Sequence, residues 1–265
     1  MKTCVVSFVY GLFFILACSS GLSQQRLGIV DSNTVALWHF DEGFGNTLHD
    51  ASPYHNDGII NNCEWVQGKF GSALHFNGQT SFVIISNSLS LQPPTEFTLE
   101  AWFSLDTLRF TFSPYENDGL ILSNLGPYPC GGGYQIYIRD PDGLRFDDRS
   151  PNCTSNFSRF VPILESHRFY HVACVYHQHG PTVSVKTYLD GVLADSSTLY
   201  SPIQYSSTPY FYIGTNIGGR AVGGPGVREF PGIIDEIRIS KIARSPVEFG
   251  APQLMLSESS IDFGH

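Results

Sequence analysis

The segment Phe97-Thr98-Leu99-Glu100-Ala101-Trp102-Phe103-Ser104-Leu105 sets an apolar side chain at every second position, with Phe97, Leu99, Ala101, Phe103 and Leu105 on one face. A period of two fits a pleated strand that covers a core on one side, and it does not fit a helix. Shorter runs of the same kind recur at Val35 to Phe40, Ala73 to Phe76, Phe82 to Ser86, Gly119 to Ser123, Tyr134 to Ile138, Phe169 to Tyr176, Val183 to Leu189, Tyr210 to Ile213 and Ile233 to Ser240. Gly, Pro, Asn and Asp punctuate them, and no stretch sustains a helical period. About a dozen strands of this kind predict an all-β chain, a two-sheet antiparallel β-sandwich of the jelly-roll type. Asp190-Gly191 sits between Val185 to Leu189 and Val192-Leu193, where a two-residue hairpin turn needs positive φ at both positions. Asp142-Gly143, ahead of Leu144 to Phe146, repeats that signal.

The 265 residues suffice for one large domain, and their formal net charge of −9 repels phosphate backbones and anionic headgroups, so nucleic acid is not expected as a partner. Beyond the N-terminus no apolar run is long enough to span a bilayer. Val5 to Ala17, after Lys2, has the length of a secretory signal core, which predicts export and a leader over residues 1–23. Two cleavage patterns fit. Phe14-Ile15-Leu16-Ala17-Cys18 has the form of a lipobox, in which Cys18 would carry the lipid and anchor the protein to the outer face. Cleavage after Gly21 or Ser23 would instead release a secreted protein beginning near Gln24. Residues 24–33 then read as a linker.

Export permits cysteine pairing among Cys63, Cys130, Cys153 and Cys174. Cys130 and Cys153 bracket one apparent hairpin and form the expected disulfide, whereas Cys174, within Val172 to Val175, reads equally as a buried free thiol. No Cys/His spacing suggests zinc. The glycine-rich stretch Gly218 to Gly226 is expected to be a surface loop; no helix follows that would make it a phosphate cradle.

Four patterns in order resemble the LamG-like jelly roll of the concanavalin A-like lectin and glucanase superfamily, related to laminin G and pentraxin domains. They are Leu37-Trp38-His39-Phe40-Asp41-Glu42-Gly43 with Asp50-Ala51-Ser52 and Asn56-Asp57-Gly58; Gly71 to Gly78 leading into Phe82-Val83; Phe97 to Phe103 with Tyr170-His171-Val172-Ala173 and Tyr188 to Gly191; and Ile213-Gly214 with Phe230 to Ile239. Phe169-Tyr170-His171 stands where the family often has Trp-His-His. The resemblance covers residues 34–249. It implies an extracellular recognition or adhesion module, carried within larger multidomain surface proteins. Past Ala251-Pro252, residues 250–265 read as a linker and the start of a truncated module; Gln253 to Ser257 and Ile261 to Gly264 resemble the opening of an Ig-like, Hydin-type domain.

Strict alternation places Asp235 on the face of Ile233, Ile237 and Ile239, and an inward carboxylate needs a partner. The resemblance implies a structural calcium where the first and last strands meet, with Asp41, Glu42 and Asp50 converging on Asp235. The alternative is that Asp235 accepts backbone N–H bonds or pairs with an arginine, and that the other three acids are turn residues. For sugar stacking the loop candidates are Tyr115, Tyr128, Tyr200, Tyr205 and Tyr210 with Arg220 and Arg228; ordinary loop packing is the competing account. His171 and His177 share a face but stand too far apart for one ion. Asn152-Cys153-Thr154 and Asn156-Phe157-Ser158 match the N-glycosylation pattern, which matters only in a eukaryotic host.

Related glucanases align acids along one strand as Glu-x-Asp-x-x-Glu. Glu116-Asn117-Asp118 is the sole Glu-x-Asp, with Gly119, Leu120 and Ile121 after it, and Gly-x-Ser-x-Gly is absent. The expectation is therefore a non-catalytic module that binds an extracellular glycan or protein. A carbohydrate-active enzyme whose acids converge from separate strands, and a structural spacer, are the alternatives from other classes.

Overall fold

The computed structural model describes residues 27, 30–108, 118–126, 131–151, 155–163, 165–208, 210–216 and 229–249. Among these residues, sixteen strands form two antiparallel sheets of eight. The first sheet contains β1 (Thr34–Trp38), β4 (Glu64–Gln67), β5 (Ser72–Asn77), β7 (Glu96–Leu105), β12 (Tyr170–His179), β13 (Thr182–Leu189), β14 (Val192–Leu199) and β16 (Pro231–Ser240). Its order is β14-β13-β12-β7-β16-β5-β4, with β1 also paired to β16. The second contains β2 (Thr47–Leu48), β3 (Gly58–Asn61), β6 (Phe82–Ser86), β8 (Asp118–Ser123), β9 (Gly133–Arg139), β10 (Gly143–Arg149), β11 (Ser155–Phe157) and β15 (Tyr210–Ile213), ordered β11-β10-β9-β8-β15-β6-β3-β2. The additional strands β2, β3, β4 and β11 hold two to four residues each, too few for a period to show.

The core fills the space between the sheets. Phe97, Leu99, Ala101, Phe103 and Leu105 point into it, as their alternation predicts, and meet Ile136, Ile138, Leu144 and Phe146 from the facing sheet. Phe97 stacks on Tyr176 at 4.5 Å and 7°, one of a chain of ring contacts each contributing about 0.5–1.5 kcal/mol beyond area burial. The opposite face of the first sheet is covered too: Leu37 and Trp102 pack with Leu27, while Ala173, Val175 and Tyr188 pack with Phe249. Phe249 is delivered by a single 3-10 turn, Pro246–Glu248, closed by a Ser245/Glu248 capping box.

Two sequence expectations change in detail. The Asp190-Gly191 turn has φ of 50° and 79°, as required, but β9 and β10 pair Arg139 with Gly143, so Asp140, Pro141 and Asp142 form a three-residue loop instead of a second two-residue turn. The alternation along β16 is broken by a bulge. Asp235 pairs with Trp102 and Ile237 with Ala101, leaving Glu236 as the extra residue at φ 49°. Ile234, Ile237 and Ile239 therefore face the core, and Asp235 lies on the other face. The bulge falls where the neighbour of β16 changes from β5, paired through Ile234, to β1, paired from Ile237 onward.

Candidate functional site

That change of partner creates a buried pocket of acids. Asp235 is fully buried; its Oδ2 accepts the Phe70 N–H at 3.0 Å, and its Oδ1 has no hydrogen-bond partner among the described residues. Burial pushes its carboxyl up to about 7, and the charges of Glu236 and Asp41 push the same way, against the N–H groups of Phe70 and Lys69. Glu236 is held by His39 Nδ1 at 2.9 Å. The loop before β5 wraps Asp235 and Asp41 closely. A Cβ on Gly68 would stand 2.6 Å from Asp235 Oδ2, and one on Gly71, at φ +69°, would collide with Asp41 Oδ1.

The four predicted calcium ligands thus separate. Asp41 and Asp235 flank one loop. Glu42 accepts the His49 N–H through Oε1, and its Oε2 is buried without a partner among the described residues. Asp50 belongs to another arrangement: its oxygens take the N–H groups of Leu37, Ser52 and Asn56, the Ser52 hydroxyl and the Asn56 amide, all within 3.1 Å. A carboxylate so saturated pins the first motif together and has no lone pair left for an ion. Among the described residues no three His, Cys, Asp or Glu side chains converge at metal-binding spacing.

A second concave feature lies on the open side of the sandwich, where β11 of one sheet approaches β14 of the other. It is a groove of about 640 Å³ lined by Arg145, Phe157 to Phe160, Ser196 to Thr198 and Tyr200. Alternation brings Arg145 to it. With Leu144 and Phe146 committed to the core, Arg145, Asp147 and Arg149 of β10 face outward beside Gln135 and Tyr137 of β9. Arg145 lies over the rings of Phe157 (4.2 Å), Phe160 (4.5 Å) and Tyr137 (5.5 Å), which fixes its guanidinium plane. Asp147 is shared: Gln135 Nε2 donates to it at 3.1 Å, and Arg145 and Arg149 stand at 3.5 and 3.8 Å. Phe157 and Tyr200 flank the opening at 53% and 81% exposure.

The family model Laminin_G_3, described as the concanavalin A-like lectin/glucanases superfamily, matches residues 77–248. The chain belongs to that family. No curated protein sequence matches it. Among solved structures, domain 4 of AbnA, a GH43 extracellular arabinanase from Geobacillus stearothermophilus in complex with arabinotriose, is similar over 82% of this chain and 96% of its own, at 20% identity and TM-score 0.60. A Trypanosoma rangeli sialidase in complex with 2,3-difluorosialic acid is similar over 85% of this chain, at 16% identity and TM-score 0.56; the match spans 33% of the sialidase. The binding domain of botulinum neurotoxin DC in complex with SialylT is similar over 82% of this chain, at 11% identity and TM-score 0.55, spanning 50% of that chain. At such identities these likenesses establish the jelly-roll fold and nothing finer.

Within this Laminin_G_3 sandwich, Tyr115, Tyr128, Arg220, Arg228, Cys18, Cys130 and Cys153 lie outside the described residues, as do residues 1–26 and 250–265. Of the other tyrosines, Tyr205 is ordinary packing, its hydroxyl bonded to the Pro93 carbonyl, whereas Tyr200 borders the groove. Among the described residues Cys63 and Cys174 are free thiols, each pushed up to about 12 by burial. His171 is buried beside Glu100, and His177 lies near Glu96 at the strand end. The Asn156 amide nitrogen donates to Asp148 and Ser201, so a glycan there would break both bonds. Among the described residues no helix is long and apolar enough to cross a membrane.

Arg145, Phe157, Arg159, Phe160 and Ser196 to Thr198 were not singled out by sequence reasoning. The signal was present in Leu144-Arg145-Phe146-Asp147-Asp148-Arg149, a charge-dense strand in a chain only 15% charged.

Proposed function

We propose that this exported Laminin_G_3 module is a non-catalytic recognition domain that binds an extracellular glycan in the groove between β11 and β14. The observation that carries this reading is the pairing of exposed rings, Phe157 and Tyr200, with a polar wall of serine and threonine residues and a ring-clamped arginine in one small-ligand-sized cleft. The acids beside it are already engaged: Asp147 by Gln135 and two arginines, Asp195 by the Ser197 hydroxyl at 2.6 Å and the Arg159 N–H. A pair of carboxylates free to flank a scissile bond is what a glycosidase would need there instead. Titrating the protein with an oligosaccharide panel tests the role. Tyr200→Ala is expected to weaken the tightest ligand by about tenfold, equivalent to ~1.4 kcal/mol. Affinity unchanged by that substitution, or steady release of reducing ends from the panel, would contradict it.

We extend the proposal to a structural calcium held by Asp41 and Asp235. The orphaned Asp235 Oδ1 and the glycine-lined loop favour it, and Asp50 is not part of the set. Such an ion would supply positive charge beside Asp235, whose carboxyl burial otherwise pushes up to about 7, so its affinity should rise with pH. Calcium at about a hundred times its dissociation constant should raise Tm by roughly 5–10 °C over chelated protein. An identical melting curve with and without chelator would remove the ion from the account. The leader over residues 1–23 is the support for export; fractionation of the expressing cells tests it, and radiolabelled lipid incorporation that depends on Cys18 separates anchoring from release.

A further inference from the structure

Resting on the glycan-binding reading, we infer that the groove selects an acidic saccharide, whose carboxylate is taken by Arg159 with Arg145 behind it. Among the described residues the lining contains two arginines and no carboxylate, in a chain with 15 Lys and Arg against 24 Asp and Glu. The overall field therefore opposes anions, and a cationic lining has to be built locally. It is built from two directions. Arg145 reaches the groove from β10; its Nε is buried without a hydrogen-bond partner among the described residues, and the Asp147 that partly balances it also faces Arg149. Arg159 enters from the segment after β11 and is exposed. Its backbone N–H donates to Asp195 Oδ2 and Ser197 Oγ, both at 3.3 Å, which anchors the main chain while the guanidinium has no ion pair among the described residues.

A guanidinium is planar and presents paired N–H donors, which suits a carboxylate more than a lone hydroxyl. Ser196, Ser197 and Thr198 line the opposite wall from the edge strand β14, Ser197 Oγ being bonded to Asp195 and the Arg159 N–H, and the Phe157 and Tyr200 rings stand at the mouth. Ring faces stack on the apolar side of a pyranose, hydroxyls meet its hydroxyls, and the arginines meet its acid group. An acidic peptide would satisfy the arginines but leave the rings and the polar wall of β14 unused.

The test is a titration of the full chain with sialyllactose and trigalacturonate, which carry the acid on two kinds of sugar, against neutral lactose and maltotriose and an oligoglutamate peptide. Repeating it at raised salt and with Arg159→Gln and Tyr200→Ala completes the set. The expected result is at least about tenfold tighter binding of one of the acidic sugars than of any neutral sugar or the peptide. Salt should weaken that advantage, and Arg159→Gln should reduce it to about twofold. Neutral sugars bound as tightly, with Tyr200→Ala still disruptive and Arg159→Gln silent, would overturn the acidic assignment and leave the glycan-binding role standing. Preference for oligoglutamate would overturn it in favour of a protein ligand, and no binding by any probe would end both readings.

Discussion

Arg238→Ala should lower stability by about 3–5 kcal/mol, the range for stranding one member of a buried ion pair, and Tm by roughly 10 °C. Arg238 and Glu100 lie opposite each other on β16 and β7, on the face of the first sheet turned away from the main core, and both are essentially inaccessible. Arg238 Nε and Nη2 reach Glu100 Oε2 at 2.7 and 2.6 Å, and Nη2 also donates to the Glu248 carbonyl at 2.8 Å, tying the terminal 3-10 turn down. His171 Nε2 stands 3.4 Å from the other Glu100 oxygen. Burial opposes the Glu100 charge, but His171 and Arg238 together hold its carboxyl below the ordinary glutamate range. Removing the arginine leaves a buried carboxylate facing Trp102 and His171 with its main counter-charge gone. The double variant Glu100→Leu with Arg238→Met, which removes both charges, should recover most of the loss. A single variant that unfolds within about 1 kcal/mol of wild type would show that the pair is spectator to the fold.

The second large effect concerns Asp148, buried at the end of β10 on the core side. Asn156 Nδ2 donates to its Oδ1 at 2.8 Å, and Oδ2 has no hydrogen-bond partner among the described residues. Burial, reinforced by the neighbouring charge of Asp147, pushes its carboxyl up to about 7 against the pull of Asn156. The folded state therefore holds a proton that the unfolded chain releases from its ordinary value of 3.8. Between these two values the native protein binds more protons than the unfolded one, so this group's contribution to stability is greatest below pH ~4, falls through pH 4–7 and is level above that. Asp148→Asn mimics the neutral form and should cancel the decline, gaining several kcal/mol over wild type at pH 8 and little at pH 4. Denaturant melts of both proteins at the two pH values measure the difference; a constant offset would refute the raised pKa. Asp31 works in the opposite direction: although burial opposes its charge, Arg244 and Thr34 lower its carboxyl to about 2, so stability from that contact is lost only in strong acid. Comparing the Asp148 variant with wild type removes that shared background.

Much of the architecture is written in local alternation. Phe97 to Leu105 names its own buried face, and Asp190-Gly191 names its turn, because both depend on neighbours along the chain. The family motif around Trp38 and Asp50 is equally local in sequence, yet the role of Asp50 is not, since the backbone groups it saturates come together only when the segment folds back on β1. Asp235 shows where alternation fails. One inserted residue, Glu236, reverses the face of everything before it, and no property of Ile233-Ile234-Asp235-Glu236-Ile237 announces the insertion. The groove was the least legible feature. Arg145, Phe157 and Tyr200 come from β10, β11 and the end of β14, and their meeting depends on how the edges of two sheets close.

That groove carries the functional account, and the most direct check is to see where a sugar lands. Backbone amide resonances of the labelled protein, recorded while sialyllactose and trigalacturonate are added separately, locate the contact without assuming any residue's role. The account predicts that at least one of them shifts signals from Phe157 to Phe160 and from Ser196 to Tyr200 together, with a common saturation curve and little change around Gly68 to Gly71. Shifts centred on that glycine loop or on other surfaces, with those two segments unmoved at saturation, would contradict it.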